Sequence, residues 1–125
     1  MREILFRAKN LDDWLTEKSL AKWFYGDLMH DGGESRCLYF HDDGSDMQVD
    51  PDTVGQFTGM SDCNRKWIYE GDILESDSGK RAAVVWNEGC WRMDFGKYVG
   101  FNLYDFINVN RVEIVGNIHD NPELM

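Results

Sequence analysis

The sequence predicts a mainly β fold: a small, SH3-like barrel in the C-terminal half, elaborated by N-terminal β-hairpins, with one or two short helices. Three observations carry that expectation. Apolar runs are short and rich in β-branched and aromatic residues, as in Ala83-Val84-Val85-Trp86. Turn signals built on Gly, Asp and Asn recur between them, as at Asp31-Gly32-Gly33 and Asn87-Glu88-Gly89. A single helical turn and one final strand close the chain, the arrangement of several small barrels.

Taken in order, Met1–Ala8 reads as a strand, with Ile4 and Phe6 in partial alternation with polar neighbours. Asn10–Ser19 is polar and holds either a short helix or a turn around Trp14 and Leu15. Lys22–Met29 suits two short strand pieces about a turn or bulge at Gly26-Asp27, because glycine accepts the positive φ such a step needs. His30–Glu34 turns the chain, and Arg36–His41 returns it as the second arm of a hairpin. The stretch from His41 to Asp52 carries Asp42, Asp43, Asp46, Asp50 and Asp52 with no base, and reads as solvated. Val54–Thr58 is a brief strand and Gly59–Lys66 a polar loop. Then come Gly71–Glu75 (strand), Ser76–Gly79 (turn), Lys80–Trp86 (strand), Asn87–Gly89 (turn) and Cys90–Phe95 (strand). Leu103, Phe106 and Ile107 fall at i, i+3 and i+4 and predict one helical turn. Arg111–Ile118 is the last strand, and Asn121-Pro122 ends regular structure, since proline lacks the N–H that a ladder needs.

A chain of 125 residues has single-domain length. Its 42% hydrophobic and 14% aromatic content supplies a core without disulfides. The three cysteines, Cys37, Cys63 and Cys90, are odd in number and widely spaced, against a disulfide framework. Met1–Ala8 has no apolar signal-peptide segment, and no apolar run approaches the ~18 residues of a membrane span. The expected compartment is therefore a reducing cytoplasm. The 23 acidic residues outnumber 13 basic ones, for a net charge of −10. That field repels phosphate, and no basic stripe is present to displace counterions, so direct nucleic-acid binding is not expected. The acidity suits solubility, or a surface that imitates DNA and occupies a DNA-binding partner.

Four collinear blocks carry a family resemblance. The first is Arg2-Glu3-Ile4-Leu5-Phe6-Arg7-Ala8 and the second Lys22-Trp23-Phe24-Tyr25-Gly26-Asp27-Leu28. The third runs Val49-Asp50-Pro51-Asp52-Thr53-Val54-Gly55-Gln56-Phe57-Thr58-Gly59, through residues 60–66, to Ile68-Tyr69-Glu70-Gly71-Asp72-Ile73. The fourth is Val112-Glu113-Ile114-Val115-Gly116-Asn117-Ile118 with Asn121-Pro122-Glu123-Leu124. In these blocks the chain resembles the YopX family of small phage and prophage proteins. The resemblance implies a single domain over residues 1–125, a viral origin in bacteria, a mainly β fold and self-association. It implies no reaction. One departure stands out: the loop after Gly59 reads Asp62-Cys63-Asn64-Arg65, with Arg65 where the family carries glycine. Arginine at positive φ is disfavoured, so a different turn type is expected.

No catalytic constellation emerges. Cys90 has no histidine at a diagnostic spacing, and paired carboxylates are uninformative among 23 acids. Cys37 and His41 are the nearest approach to a zinc pair, and the Asp42–Asp52 run lacks the ligand order of a calcium loop, so no metal and no cofactor are expected. Asp27 and Asp72 each follow a glycine, where a short acid can fix a turn by accepting backbone N–H groups. The alternative is that Trp67, Tyr69, Glu70 and Asp72 line a pocket or contact. Trp86 and Trp91 face one another across a predicted hairpin. Trp23, Phe24 and Tyr25 are consecutive, so on a strand they point to both faces, one core and one either covered within the chain or buried in a subunit interface. Three functions remain. The first is a non-enzymatic, self-associating binding module that meets a host or phage protein. The second is a binder of a nucleotide-type signal between subunits, with Arg65, Lys66 or Arg92 meeting phosphate. An enzyme ranks last.

Overall fold

A computed structural model describes residues 4–10, 22–30, 38–42 and 45–125. The described residues form two antiparallel sheets and one α-helix, so the chain is mainly β as its composition demands. They divide into two compact units, Met1–Gln56 and Phe57–Met125. The division falls between Gln56 and Phe57, inside a strand. The predicted helix or turn at Asn10–Ser19 and the turn at 31–34 lie outside the described residues, apart from Asn10.

In the first unit, strands β1 (Phe6–Lys9), β2 (Trp23–His30), β3 (Leu38–Asp42) and β4 (Ser45–Val49) pair as neighbours, and the start of β5 (Gly55–Ser61) flanks β1. The first strand begins at Phe6, later than the sequence suggested. β2 is one continuous strand, which corrects the expected break at Gly26-Asp27. The step still has meaning: residues Trp23 to Gly26 pair with β1, and Asp27 to His30 pair with β3. Pairing on successive edges holds a glycine in line where an isolated strand would bend. Asp27 accordingly sits in a strand and not in a turn.

β4 is the larger correction. The acidic stretch reads as solvated, with no strand expected, yet Ser45–Val49 pairs in full register with β3. Met47 and Val49 alternate there with Asp46 and Gln48, a period of two concealed by the count of acids. Val49 is almost wholly buried and joins Ala8 in a small core that Phe6, Phe24, Leu28 and Val54 complete. After it, Asp50 caps a 3-10 turn at Pro51–Thr53. Asp52 N–H donates to Asp50 Oδ1 at 3.1 Å. Thr53 Oγ1 donates to Asp50 O at 2.7 Å and accepts the Lys9 N–H at 2.9 Å, tying the turn to β1.

In the second unit, the later residues of β5 pair with β6 (Trp67–Tyr69), with a register shift between Phe57 and Ser61. A second sheet contains β7 (Asp72–Ser76), β8 (Arg81–Asn87), β9 (Cys90–Asp94), β10 (Val99–Asn102) and β11 (Val112–Asn117), in the order β10-β9-β8-β7-β11. The sequence anticipated β7, β8, β9 and β11 to within a residue or two, and missed β10. The SH3-like barrel is not formed by this pairing. β10 and β11 are opposite edges, so the sheet stays open.

Helix α1 (Leu103–Val109) starts where Asn102 Oδ1 accepts the Asp105 N–H at 2.8 Å. It extends the predicted turn and buries Leu103 and Phe106. These join Ile68, Leu74, Ala82, Val84, Met93 and Val112 in the main core. Burying each large aliphatic side chain contributes about 1.5–3 kcal/mol. The exposed Arg81–Glu75 ion pair adds no more than ~1 kcal/mol, so the core decides stability.

Candidate functional site

The block around β6 is built for shape. Asp72 is 2% exposed, and its Oδ2 accepts the Tyr69 N–H at 2.8 Å, closing the turn through Glu70 and Gly71. Gly71 has φ +91°, which its neighbours could not adopt without strain. Its N–H donates to Val84 O at 2.8 Å, and its carbonyl accepts the Ile118 N–H at 2.9 Å. The turn-fixing role read for Asp72 is therefore present. Tyr69 is buried, and Trp67 is half exposed. Both rings meet Phe57, at 5.5 and 4.6 Å between centroids, with Trp67 stacked flat on it. Of these predicted residues, Trp67 alone offers a broad ring to solvent.

The loop that follows β5 is organised by one carboxylate. Asp62 is buried, and its Oδ1 accepts the N–H groups of Asn64 and Lys66, each at 2.9 Å. Its Oδ2 accepts the Ile114 N–H of β11 at 3.1 Å. Cys63 N–H donates to Val112 O at 2.9 Å beside it. Arg65 has φ +65°, so the turn keeps the left-handed geometry that glycine would supply. That corrects the expectation of a different turn type: Asp62 holds the backbone on both sides of Arg65 and imposes its conformation. Against this loop lies a cleft of about 300 Å³ walled by Ser61, Cys63, Asn108, Asn110, Arg111 and Val112.

Arg92 is placed apart, in the β8–β9 hairpin. Its Nε donates to Asn87 O at 3.2 Å, and its guanidinium lies 3.7 Å from Glu88. Trp86 and Trp91 face each other edge to face at 4.8 Å, as the sequence suggested. Past this hairpin, Phe95 is flanked by the rings of Tyr98 at 5.1 Å and Phe101 at 6.3 Å. Tyr98, Phe101, Tyr104 and Val109 are 56–75% exposed. Phe101 has φ +47°, uncommon for an aromatic residue. Residues 98–109 hold one charged side chain, Asp105, in a chain that is 29% charged. Sequence reasoning passed over this surface. Its signal was the charge gap itself, with Tyr98, Phe101 and Tyr104 at three-residue spacing.

In the first unit, Trp23, Phe24 and Tyr25 divide between faces as alternation requires. Phe24 lies opposite Ala8 and enters the core. Trp23 is half buried, with Arg7 Cζ 4.7 Å and Lys9 Nζ 5.5 Å from its ring centre, a cation–π arrangement across β1 and β2. Tyr25 is 52% exposed. Cys37 lies outside the described residues, so its pairing with His41 is not described. Among the described residues no three His, Cys, Asp or Glu side chains gather as a metal site. No helix among them is long and apolar enough to cross a membrane.

The family model described as YopX protein matches residues 6–125. The chain belongs to the YopX family. No curated protein matches it. The family blocks coincide with the structural joints just described. Asp50 to Gly59 builds the capped 3-10 turn and β5. Ile68 to Ile73 builds the Asp72 turn. Val112 to Ile118 is the strand that Asp62 grips. Arg2 and Glu3 of the first block lie outside the described residues. In this YopX-family chain the described residues of those blocks serve the backbone, whereas the exposed rings of 98–109 fall between the blocks, and the cleft beside Arg111 joins Ser61, Cys63 and Val112 of two blocks to Asn108, Asn110 and Arg111 outside them. The sequence held no periodicity or motif pointing to Asn108, Asn110 and Arg111, because these become neighbours of Cys63 only through folding.

Proposed function

We propose that this YopX-family chain is a non-enzymatic binding module that self-associates, an accessory protein of phage or prophage origin acting in the bacterial cytoplasm. The observation that carries the reading is the run of exposed apolar side chains before and along β10 and α1: Tyr98, Phe101, Tyr104 and Val109. Interface cores are depleted of charge and enriched in aromatic residues. Two copies of a chain with net charge −10 repel, and they approach at least cost where charge is sparsest. Residues 98–109, with Asp105 as their one charge, are such a place, so the occupant of this surface is a second copy. Trp67, 47% exposed and stacked on Phe57, is the ring that would meet a host or phage partner.

Native mass spectrometry and sedimentation of the purified chain test the reading. The expected result is a dimer or larger species that falls to monomer in Phe101→Asp, with the circular dichroism spectrum retained. A wild-type chain that stays monomeric at high micromolar concentration would refute self-association.

A further inference from the structure

We propose that the cleft between the Asp62 loop and the C-terminal end of α1 binds a small oxyanion, a carboxylate or phosphate group, through Arg111. The space fits. About 300 Å³ accommodates roughly ten waters at ~30 Å³ each, the lower end of the range for small-ligand sites. Arg111 is exposed and makes no ion pair among the described residues, in a chain with 23 acidic side chains. Arg81 and Arg92, by contrast, are engaged by Glu75 and Glu88. Even Asp77, whose N–H donates to Arg111 O at 2.9 Å, does not pair with its side chain. Arg111 lines the cleft, and a guanidinium with no ion pair among the described residues is a two-pronged donor suited to an oxyanion.

Two features of the cleft oppose an anion, and contacts in the structure offset part of each. The Asp62 carboxylate lines the wall, but it is 6% exposed and its oxygens accept three backbone N–H groups. The C-terminal end of α1 also lines the cleft, and there Phe106 O accepts both the backbone and the side-chain N–H of Asn110, each at 3.1 Å. Arg65 and Lys66, exposed on the same loop, add positive charge. Ile107 and Val112 supply apolar walls for the rest of a small molecule.

Cys63 lines the cleft and is exposed, so it reports occupancy. The test follows alkylation of the full chain by iodoacetamide, mapped by peptide mass, in inorganic phosphate, in succinate and in chloride of equal ionic strength. The expected result is a several-fold slowing at Cys63 in one or both oxyanions, with the rate at Cys90 unchanged. Slowing by phosphate alone assigns a phosphate site, by succinate alone a carboxylate site, and by both a general oxyanion site. Arg111→Gln should abolish the protection, and Arg111→Lys should retain part of it, with the melting temperature of each variant close to wild type. Equal alkylation in all three salts, or full protection persisting in Arg111→Gln, overturns the proposal. Should Arg111→Gln misfold, protection that is weakened or lost in Arg111→Lys decides for the arginine contact, and undiminished protection there overturns it. None of these outcomes bears on self-association, which is read by mass.

Discussion

Arg65 shows how a single residue can hold a conformation against its own preference. At φ +65° an L-residue loses about 1–2 kcal/mol relative to right-handed backbone. Glycine escapes that cost but loses about 0.5–1 kcal/mol in chain entropy. Arg65→Gly should therefore stabilise the chain by about 1 kcal/mol, seen as a higher midpoint in urea. A lower midpoint would mean that the Arg65 side chain contributes stability of its own. The sequence made the departure from glycine visible. It could not say whether the turn or the residue would yield, because the answer lies in Asp62, whose three N–H partners include one from β11. The same limit applies to Phe101. Its identity was legible, but its positive φ and exposure were not.

Among the elements, strands bounded by turn residues were legible and those inside biased composition were not. β8 and β9 stood out because Asn87-Glu88-Gly89 separates two apolar runs, and the pairing places Trp86 opposite Trp91. β4 was hidden by acids that an edge strand tolerates and even uses to discourage unwanted pairing. β10 was hidden by Gly100 and by the helix start that follows at once. β11 illustrates a legible glycine with a packing reason. A Cβ at Gly116 would lie 2.6 Å from Asn121 Oδ1 and 2.9 Å from its Cγ, so the C-terminal turn closes against bare backbone. Gly116→Ala should destabilise by about 1–3 kcal/mol, the range for overpacking. Adding Asn121→Ala should recover part of the loss, because the two sites share one clash. Additive effects in thermal melts would show that the strain lies elsewhere.

At the scale of the whole chain, charge and family were the most legible properties, and the candidate sites the least. The resemblance read from four blocks is borne out over residues 6–125. Those blocks pointed toward Trp67, Tyr69, Glu70 and Asp72, and the structure places Tyr69 and Asp72 inside, where they shape a turn. Surfaces depend on which side chains the fold leaves outside, and no spacing rule encodes that for a loop and a helix end drawn together. One such junction also has a kinetic meaning. The bond from Ile114 N–H to Asp62 joins residues 52 apart in sequence, whereas β8 and β9 are joined by a two-residue turn. Closing long segments costs entropy before any contact repays it, so hairpins form early and distant clasps late. Losing the Asp62 carboxylate removes three charge-assisted bonds, at roughly 1.5–3 kcal/mol each before relaxation. In stopped-flow chevrons, Asp62→Ala should accelerate unfolding strongly and leave the refolding limb nearly unchanged; a slowed refolding limb would place the clasp in the nucleus. Asp62 then governs how long the folded state persists and has little influence on how quickly it is reached.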